Sequence, residues 1–163
     1  ASVPSRGLIG FRSLFLTLTS GTGIMTASFS HYGPVKSTSM GKRSNGVLIS
    51  MTQGVTLGYG LFYLQDRGRL FVGPQTEVYE GMIVGQNTRG DDMVVNPTKA
   101  KQLTNVRASG TDEALTLIPH IKMTLEQALE FIEDDELVEV TPLTIRLRKR
   151  YLTESDRKRS SRG

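Results

Sequence analysis

The sequence predicts an α+β fold whose strands form a β-barrel or twisted sheet with two helices interspersed. Three observations predict it. Short apolar runs ("GVLISM", "RLFVG", "EVYEGMIVGQN", "DMVVN") recur between residues 46 and 96, separated by Gly, Pro, Asn and Asp. The segment "TLEQALEFIEDDE" has helical spacing and a capping signature. No internal repeat suggests a solenoid, and strands mixed with few helices belong to the α+β class.

The elements follow in order. Residues 4–19 carry Leu8, Phe11 and Phe15 at helical spacing, with Pro4 and Ser5 suited to a first turn and "SGTG" as a stop. "IMTASFSHY", residues 24–32, alternates towards a strand closed by Gly33-Pro34. One helix and one strand cannot make a domain, because the strand needs neighbours for its backbone groups. This unit is expected to pack on the rest of the chain, to self-associate, or to fray. The polar, basic run at residues 36–45 reads as a linker, so the chain divides into residues 1–36 and 37–163.

Residues 46–51 read as a strand. Thr52 is expected to cap a helix through Leu64, with Leu57, Leu61 and Leu64 on one face and Gly68 as the stop. Gly54, Gly58 and Gly60 weaken that helix by ~1 kcal/mol each relative to Ala. Strands follow up to residue 96. "ALTLIP" resumes a strand after a polar loop, and Thr124 with Gln127 forms the capping box of the clearest helix, striped by Leu125, Ala128, Leu129 and Ile132. "LVEVTP" and "LTIRLRKRYL" read as two strands about a tight turn.

The loop "KAKQLTNVRASGTDEA", residues 99–114, has neither alternation nor a helical stripe. Unstructured loops this long are uncommon in compact domains and are usually functional or disordered. Charge is also unevenly placed. Residues 144–163 hold eight Lys/Arg against Glu154 and Asp156, while the remainder, with twelve cations and fourteen acids, is slightly acidic. A basic segment of this kind is an electrostatic footprint for polyanions; the alternative is a solvated, disordered tail.

Length suits one domain or slightly more. No run approaches the ~18 apolar residues of a membrane span, and the start has no signal-peptide layout. The absence of Cys excludes disulfides and thiolate metal sites and fits a reducing compartment. Nucleotide hydrolysis needs a glycine-rich cradle followed by Lys and Ser/Thr, but Gly41-Lys42 has Lys36 where the first glycine should be. His31 and His120 stand alone in sequence, and an acid–base role for either would need a distant carboxylate. The run Glu133 to Glu136 could attract a divalent cation, yet it lacks a calcium-loop layout and suits a solvated helix end. The residues give no catalytic or metal constellation.

Three stretches resemble a known family. "VPSRGLIGFRSLFLTLTSGTGIMTASFSHYGPV" is similar to the closing helix and strand of the ferredoxin-like domain V in translational GTPases of the elongation factor G type. "NGVLIS…LQDRGRLFVGPQTEVYEGMIVG" and "KQLTNVRASGTDEALTLIPHIKMTLEQALEFIEDDELVEVTPLTIRLRKRYLTE" resemble the C-terminal domain of the BipA/TypA family. Nearly the whole chain is covered, in order; the linker "KSTSMGKRSNG" departs most from the family pattern, and no function is carried onto it.

The resemblance implies a C-terminal piece of a cytoplasmic, ribosome-binding GTPase linked to ribosome biogenesis and stress response. GTP and Mg would belong to an N-terminal domain outside this chain, which itself needs no cofactor. The implied partners are large-subunit rRNA and the A-site tRNA, whose acceptor arm the loop at 99–114 would follow. Lys99, Lys101 and Arg107 suit phosphates, and Thr104, Asn105, Ser109 and Thr111 suit sugar oxygens and 2′-hydroxyls. Arg146, Arg148, Lys149, Arg150, Arg157, Lys158 and Arg159 would add affinity from the basic segment. Two rival readings are a stand-alone basic RNA-binding protein without a GTPase parent and an enzyme using His31 or His120.

Overall fold

The computed structural model describes residues 2–8, 11–34, 43–101 and 116–161. The chain forms two compact units, residues 1–43 and 44–163.

In the first unit a 3-10 turn, Ser5–Leu8, precedes helix α1, Phe11–Leu18. Thr19 closes the helix by donating its hydroxyl to the Phe15 carbonyl at 2.8 Å and accepting from the Gly23 amide at 3.1 Å. Residues 22–34 form no strand, contrary to the alternation in "IMTASFSHY". The reason is pairing: no described segment of this unit offers a strand alongside, and alternation alone satisfies no backbone group.

The second unit is a three-layer α/β/α arrangement. Its strands are β1 (Val47–Ser50), β2 (Gly54–Val55), β3 (Gly68–Leu70), β4 (Glu77–Val78), β5 (Met82–Asn87), β6 (Met93–Val95), β7 (Glu136–Val140) and β8 (Ile145–Lys149). The main sheet runs β6-β1-β5-β8-β7, with β3 also on β5; β2 and β4 form a separate ladder. Among the described residues only β1 and β6 pair in parallel. Both β1 and β3 pair with Gly85 and Gln86, and both β1 and β8 pair with Ile83. Thus β3 and β8 lie end to end along one edge of β5, opposite β1. The α+β class stands, but the sheet stays open, with β6 and β7 at its edges, rather than closing into a barrel.

Alternation along β1 and β5 creates two cores. Leu48, Met82 and Val84 join Leu61 and Leu64 of helix α2 (Gly58–Leu64) on one face. Val47, Ile49 and Ile83 join Leu147 and Ala128 of helix α3 (Leu125–Phe131) on the other, where Phe71 and Phe131 meet edge-on at 5.2 Å. Burying side chains of this size contributes about 1.5–3 kcal/mol each.

The α3 capping box forms as expected: the Gln127 amide donates to Thr124 Oγ1, and the Thr124 amide donates to Gln127 Oε1 at 3.0 Å. Helix α2, however, starts six residues after Thr52 and lacks a side-chain cap. The β-branched pair Val55-Thr56 is held elsewhere. Val55 pairs with Glu77, and the buried Thr56 hydroxyl donates to the Gly73 carbonyl at 2.7 Å and accepts from the Thr76 amide at 2.9 Å. Gly68 opens β3 rather than only stopping a helix. The strand expected at "ALTLIP" does not form over residues 116–119; residues 114 and 115 lie outside the described residues. A further helix, α4 (Glu154–Ser160), forms in the basic segment, capped by Thr153 accepting from the Asp156 amide.

Candidate nucleic-acid interface

The basic residues of β8 separate by strand alternation. Leu147 and Lys149 face the α3 core, and Arg146 and Arg148 face the opposite way. Lys149 lies in the interior, its side chain 3% exposed, with Nζ 2.7 Å from Asp92, 2.8 Å from Asp135 and 3.0 Å from Glu136. Burial opposes its charge, but hydrogen bonds to Asp135 and Asp92 and the field of Glu136 outweigh burial and hold the ammonium above its ordinary range. A phosphate cannot reach this group without dismantling the cluster, so Lys149 is withdrawn from the RNA-contacting set. The same geometry explains much of the acidic run 133–136. Asp135 and Glu136 are occupied by Lys149, and Glu136 also accepts from the Glu133 amide.

Arg148 is half-buried, 3.7 Å from Glu139, which also accepts a 2.7 Å bond from the Tyr79 hydroxyl. Burial and this carboxylate push the Tyr79 phenol well up from its usual value. Arg146 donates to Thr144 Oγ1 at 3.2 Å. Arg157 turns back on its own helix start, donating to the carbonyls of Tyr151 and Leu152. Lys158 pairs with Glu154 and Arg159 with Asp156, both on the exposed surface of α4. Such exposed pairs contribute little stability and release their cations readily. Arg150 is exposed and forms no ion pair among the described residues. Arg150, Lys158 and Arg159 therefore present the most available charge.

The start of the polar loop is fixed by a close crossing. The Leu57 amide donates to the Pro97 carbonyl at 3.1 Å, and residues 97–99 run against α2 at Gly60. A Cβ on Gly60 would lie 2.7 Å from the Pro97 oxygen and 3.1 Å from the Lys99 nitrogen, so only glycine admits this path. Gln65, at the end of α2, holds the returning chain: its amide donates to the Thr116 carbonyl at 3.2 Å and its oxygen accepts from the Ile118 amide at 3.0 Å. Both ends of the loop are thus tied to α2. Thr104, Asn105, Arg107, Ser109 and Thr111 lie outside the described residues; Lys99 and Lys101 are described and exposed.

Beside this crossing is an open groove of about 520 Å3 between α2 and β6, lined among others by Tyr63, Asp66, Arg67, Met93, Asn96 and Lys99. Tyr59 meets Tyr63 edge-on at 5.0 Å and Phe62 meets it at 5.5 Å. The Tyr59 phenol raises that of Tyr63, while the charges of Lys99 and Lys101 act in the opposite direction. The sequence pattern does not single out Tyr63, Arg67 or Gln65, and it marks Gly60 only as a weak helix residue. A glycine in the middle of an apolar helical stripe is nevertheless a signal of close backbone approach.

Neither histidine meets a carboxylate among the described residues. His31 Nδ1 lies 2.9 Å from the Ser30 hydroxyl, and the His120 ring covers Gly73. Among the described residues no cluster of His and acidic groups has metal-site geometry, and no helix is long and apolar enough to cross a membrane.

A family model described as the TypA/BipA C-terminal domain matches residues 45–154, and one described as the elongation factor G C-terminus matches residues 1–43. The large ribosomal subunit assembly factor BipA of Salmonella typhimurium is 62% identical over 161 residues, covering 99% of this chain and 26% of that protein. Its counterparts in Haemophilus influenzae and Buchnera aphidicola are 58% and 56% identical, covering 98% and 97% of this chain and 26% of each relative. The chain spans about a quarter of the length of these relatives. With the domain match covering most of its length and these identities extending almost from end to end, the chain belongs to the TypA/BipA family.

Proposed function

We propose that this chain is the ribosome-contacting C-terminal part of a translational GTPase that acts in the cytoplasm in large-subunit assembly. It binds rRNA through the exposed cations just after β8 and on α4, and the loop at 99–114 follows the acceptor arm of an A-site tRNA. It carries no chemistry of its own; GTP and Mg are handled by other parts of the parent. The observation that carries this reading is the end-to-end similarity to relatives named as large ribosomal subunit assembly factors. The physical means are Arg150, Lys158 and Arg159 on the surface and Lys99 and Lys101 where the loop leaves α2.

Two measurements test it. Filter binding to large-subunit rRNA should weaken steeply with salt, with log K against log[salt] sloping at roughly −3.5 to −4.5 if about five phosphates are contacted. A flat response removes the electrostatic argument. In the full-length parent, Lys101→Ala with Arg107→Ala should abolish chemical-probing protection of the tRNA acceptor arm while leaving bulk RNA binding nearly unchanged. Equal protection by the double variant would leave the loop without that role.

A further inference from the structure

We propose that the groove between α2 and β6 receives one unstacked nucleotide of single-stranded RNA, its base against Tyr63 and its phosphates towards Arg67 and Lys99. This rests on the RNA-binding reading above and adds to it a site outside the basic segment, built on α2 and β6 and sharing only Lys99 with the start of the loop.

The observations are geometric. The volume, about 520 Å3, falls in the range of about 300–1,000 Å3 usual for small-ligand sites. Tyr63 is 54% exposed on one wall of this groove, an aromatic surface left uncovered although apolar Leu64 and Val95 lie beside it. Its ring is braced by Tyr59 and Phe62, both edge-on, so little rotamer freedom remains to be lost when a base stacks.

The two cations are also held at their backbones. Lys99 is placed by the crossing at Gly60. Arg67 donates its amide to Leu64, and its carbonyl accepts from the Thr88 amide at 2.9 Å and hydroxyl at 3.1 Å. Among the described residues its guanidinium has only a weak 3.5 Å contact, with the Met93 sulfur, so most of its donors stay available. Asp66 and Asn96 supply acceptors, and an amide donor, that can meet the edge of a base. An acidic peptide would meet the same two cations but would leave the ring face and the hydrogen-bonding groups of Asp66 and Asn96 unused. A nucleotide uses the ring, the cations and the carboxylate together.

The test is fluorescence anisotropy of the full chain with a labelled single-stranded RNA hexamer and, separately, an RNA duplex of equal charge. Tyr63→Leu should weaken hexamer binding by roughly 5- to 150-fold, the loss expected for one stacked base, and leave duplex binding unchanged. Tyr63→Phe should retain hexamer binding, which also shows that the site survives removal of the hydroxyl. Arg67→Ala should weaken the hexamer and lower the salt slope by about 0.7. Unchanged hexamer affinity in a folded Tyr63→Leu, or equal losses on hexamer and duplex, would overturn the groove site while leaving the broader RNA reading intact. Failure of the unsubstituted chain to bind either RNA would overturn both.

Discussion

The Lys149 ammonium lies 3.0 Å from the carboxylate of Glu136, whose side chain is wholly shielded from solvent. Asp92 joins the same ammonium at 2.7 Å and with its other oxygen accepts from the Val47 amide at 2.9 Å. One cation therefore ties β8 to β7, to the start of β1 and to the turn before β6. Strand pairing would place these elements in order without it, but the cluster adds a polar constraint on register that apolar packing alone does not supply.

Replacing Lys149 by Met should be severe, because the apolar side chain fills the space and leaves the buried Glu136 carboxylate charged without the ammonium that neutralises it. The expected loss is about 3–5 kcal/mol, as for a buried pair broken on one side. Adding Glu136→Leu should restore part of it, and only part, since the Glu133 amide is then without its acceptor. Denaturant unfolding of the two single variants and the double variant gives the coupling; purely additive losses would mean that the pair is not coupled.

The same residue sets a pH dependence. Its proton is bound more tightly in the folded chain than in the unfolded one, where the ordinary value is about 10.5. The contribution is thus fully present below pH 10.5 and is lost as pH rises through the higher folded value. The stability gap between the unsubstituted chain and Lys149→Met should be constant from pH 7 to 10 and narrow above that. A gap that widens at alkaline pH would reverse the assigned sign.

Gly60→Ala isolates the crossing beneath the polar loop. Helix propensity favours Ala by about 1 kcal/mol, yet the new methyl meets the Pro97 carbonyl at 2.7 Å, and backbone must move. Overpacking of this kind costs about 1–3 kcal/mol, so a net destabilisation is expected. A higher melting temperature for Gly60→Ala would show that the crossing yields without strain.

How much of the fold is legible in the sequence depends on whether a signal is local. The Thr124–Gln127 box is local, and α3 starts where those two residues place it. The strands β5, β7 and β8 are legible because β-branched and apolar runs end at turn residues. Thr52 fails as a cap because the Val55–Glu77 pairing and the Thr56 hydroxyl bond to Gly73 are long-range contacts that no window reveals. The basic segment is legible as charge but not as availability. Lys149 and Arg150 are neighbours, yet Lys149 is the last residue of β8 and turned inward by strand parity, while Arg150 lies just past the strand and is exposed. The groove is hidden for a similar reason: Tyr63, Arg67 and Lys99 meet only once Gly60 lets residues 97–99 cross the helix.

Both cores of the second unit are built from residues after 44. A chain beginning at Ser44 should therefore keep its cooperative transition with little change in melting temperature. Circular dichroism during heating checks this. A non-cooperative melt would show that residues 1–43 contribute to those cores.

The distinction between buried and exposed cations gives the last prediction, since charge alone does not separate the two kinds as partners for RNA. Removing one phosphate-binding cation should reduce the magnitude of the salt slope by roughly 0.7 on single strands and 0.9 on duplex. Arg150→Ala with Lys158→Ala should lower it by about 1.4–1.8 in total, twice the single-site value, and leave melting temperature nearly unchanged. The ion pair of Lys158 with Glu154 is exposed and adds little stability. Arg148→Ala should have a smaller effect on the slope, because its charge is already shared with Glu139. Lys149→Met, measured well below its melting temperature, should leave the slope unchanged even though it is the most destabilising of the set. Filter binding across a salt series, paired with melts of each variant, separates the two effects. A slope that falls as much for Lys149→Met as for Arg150→Ala would mean that the carboxylate cluster opens when RNA binds.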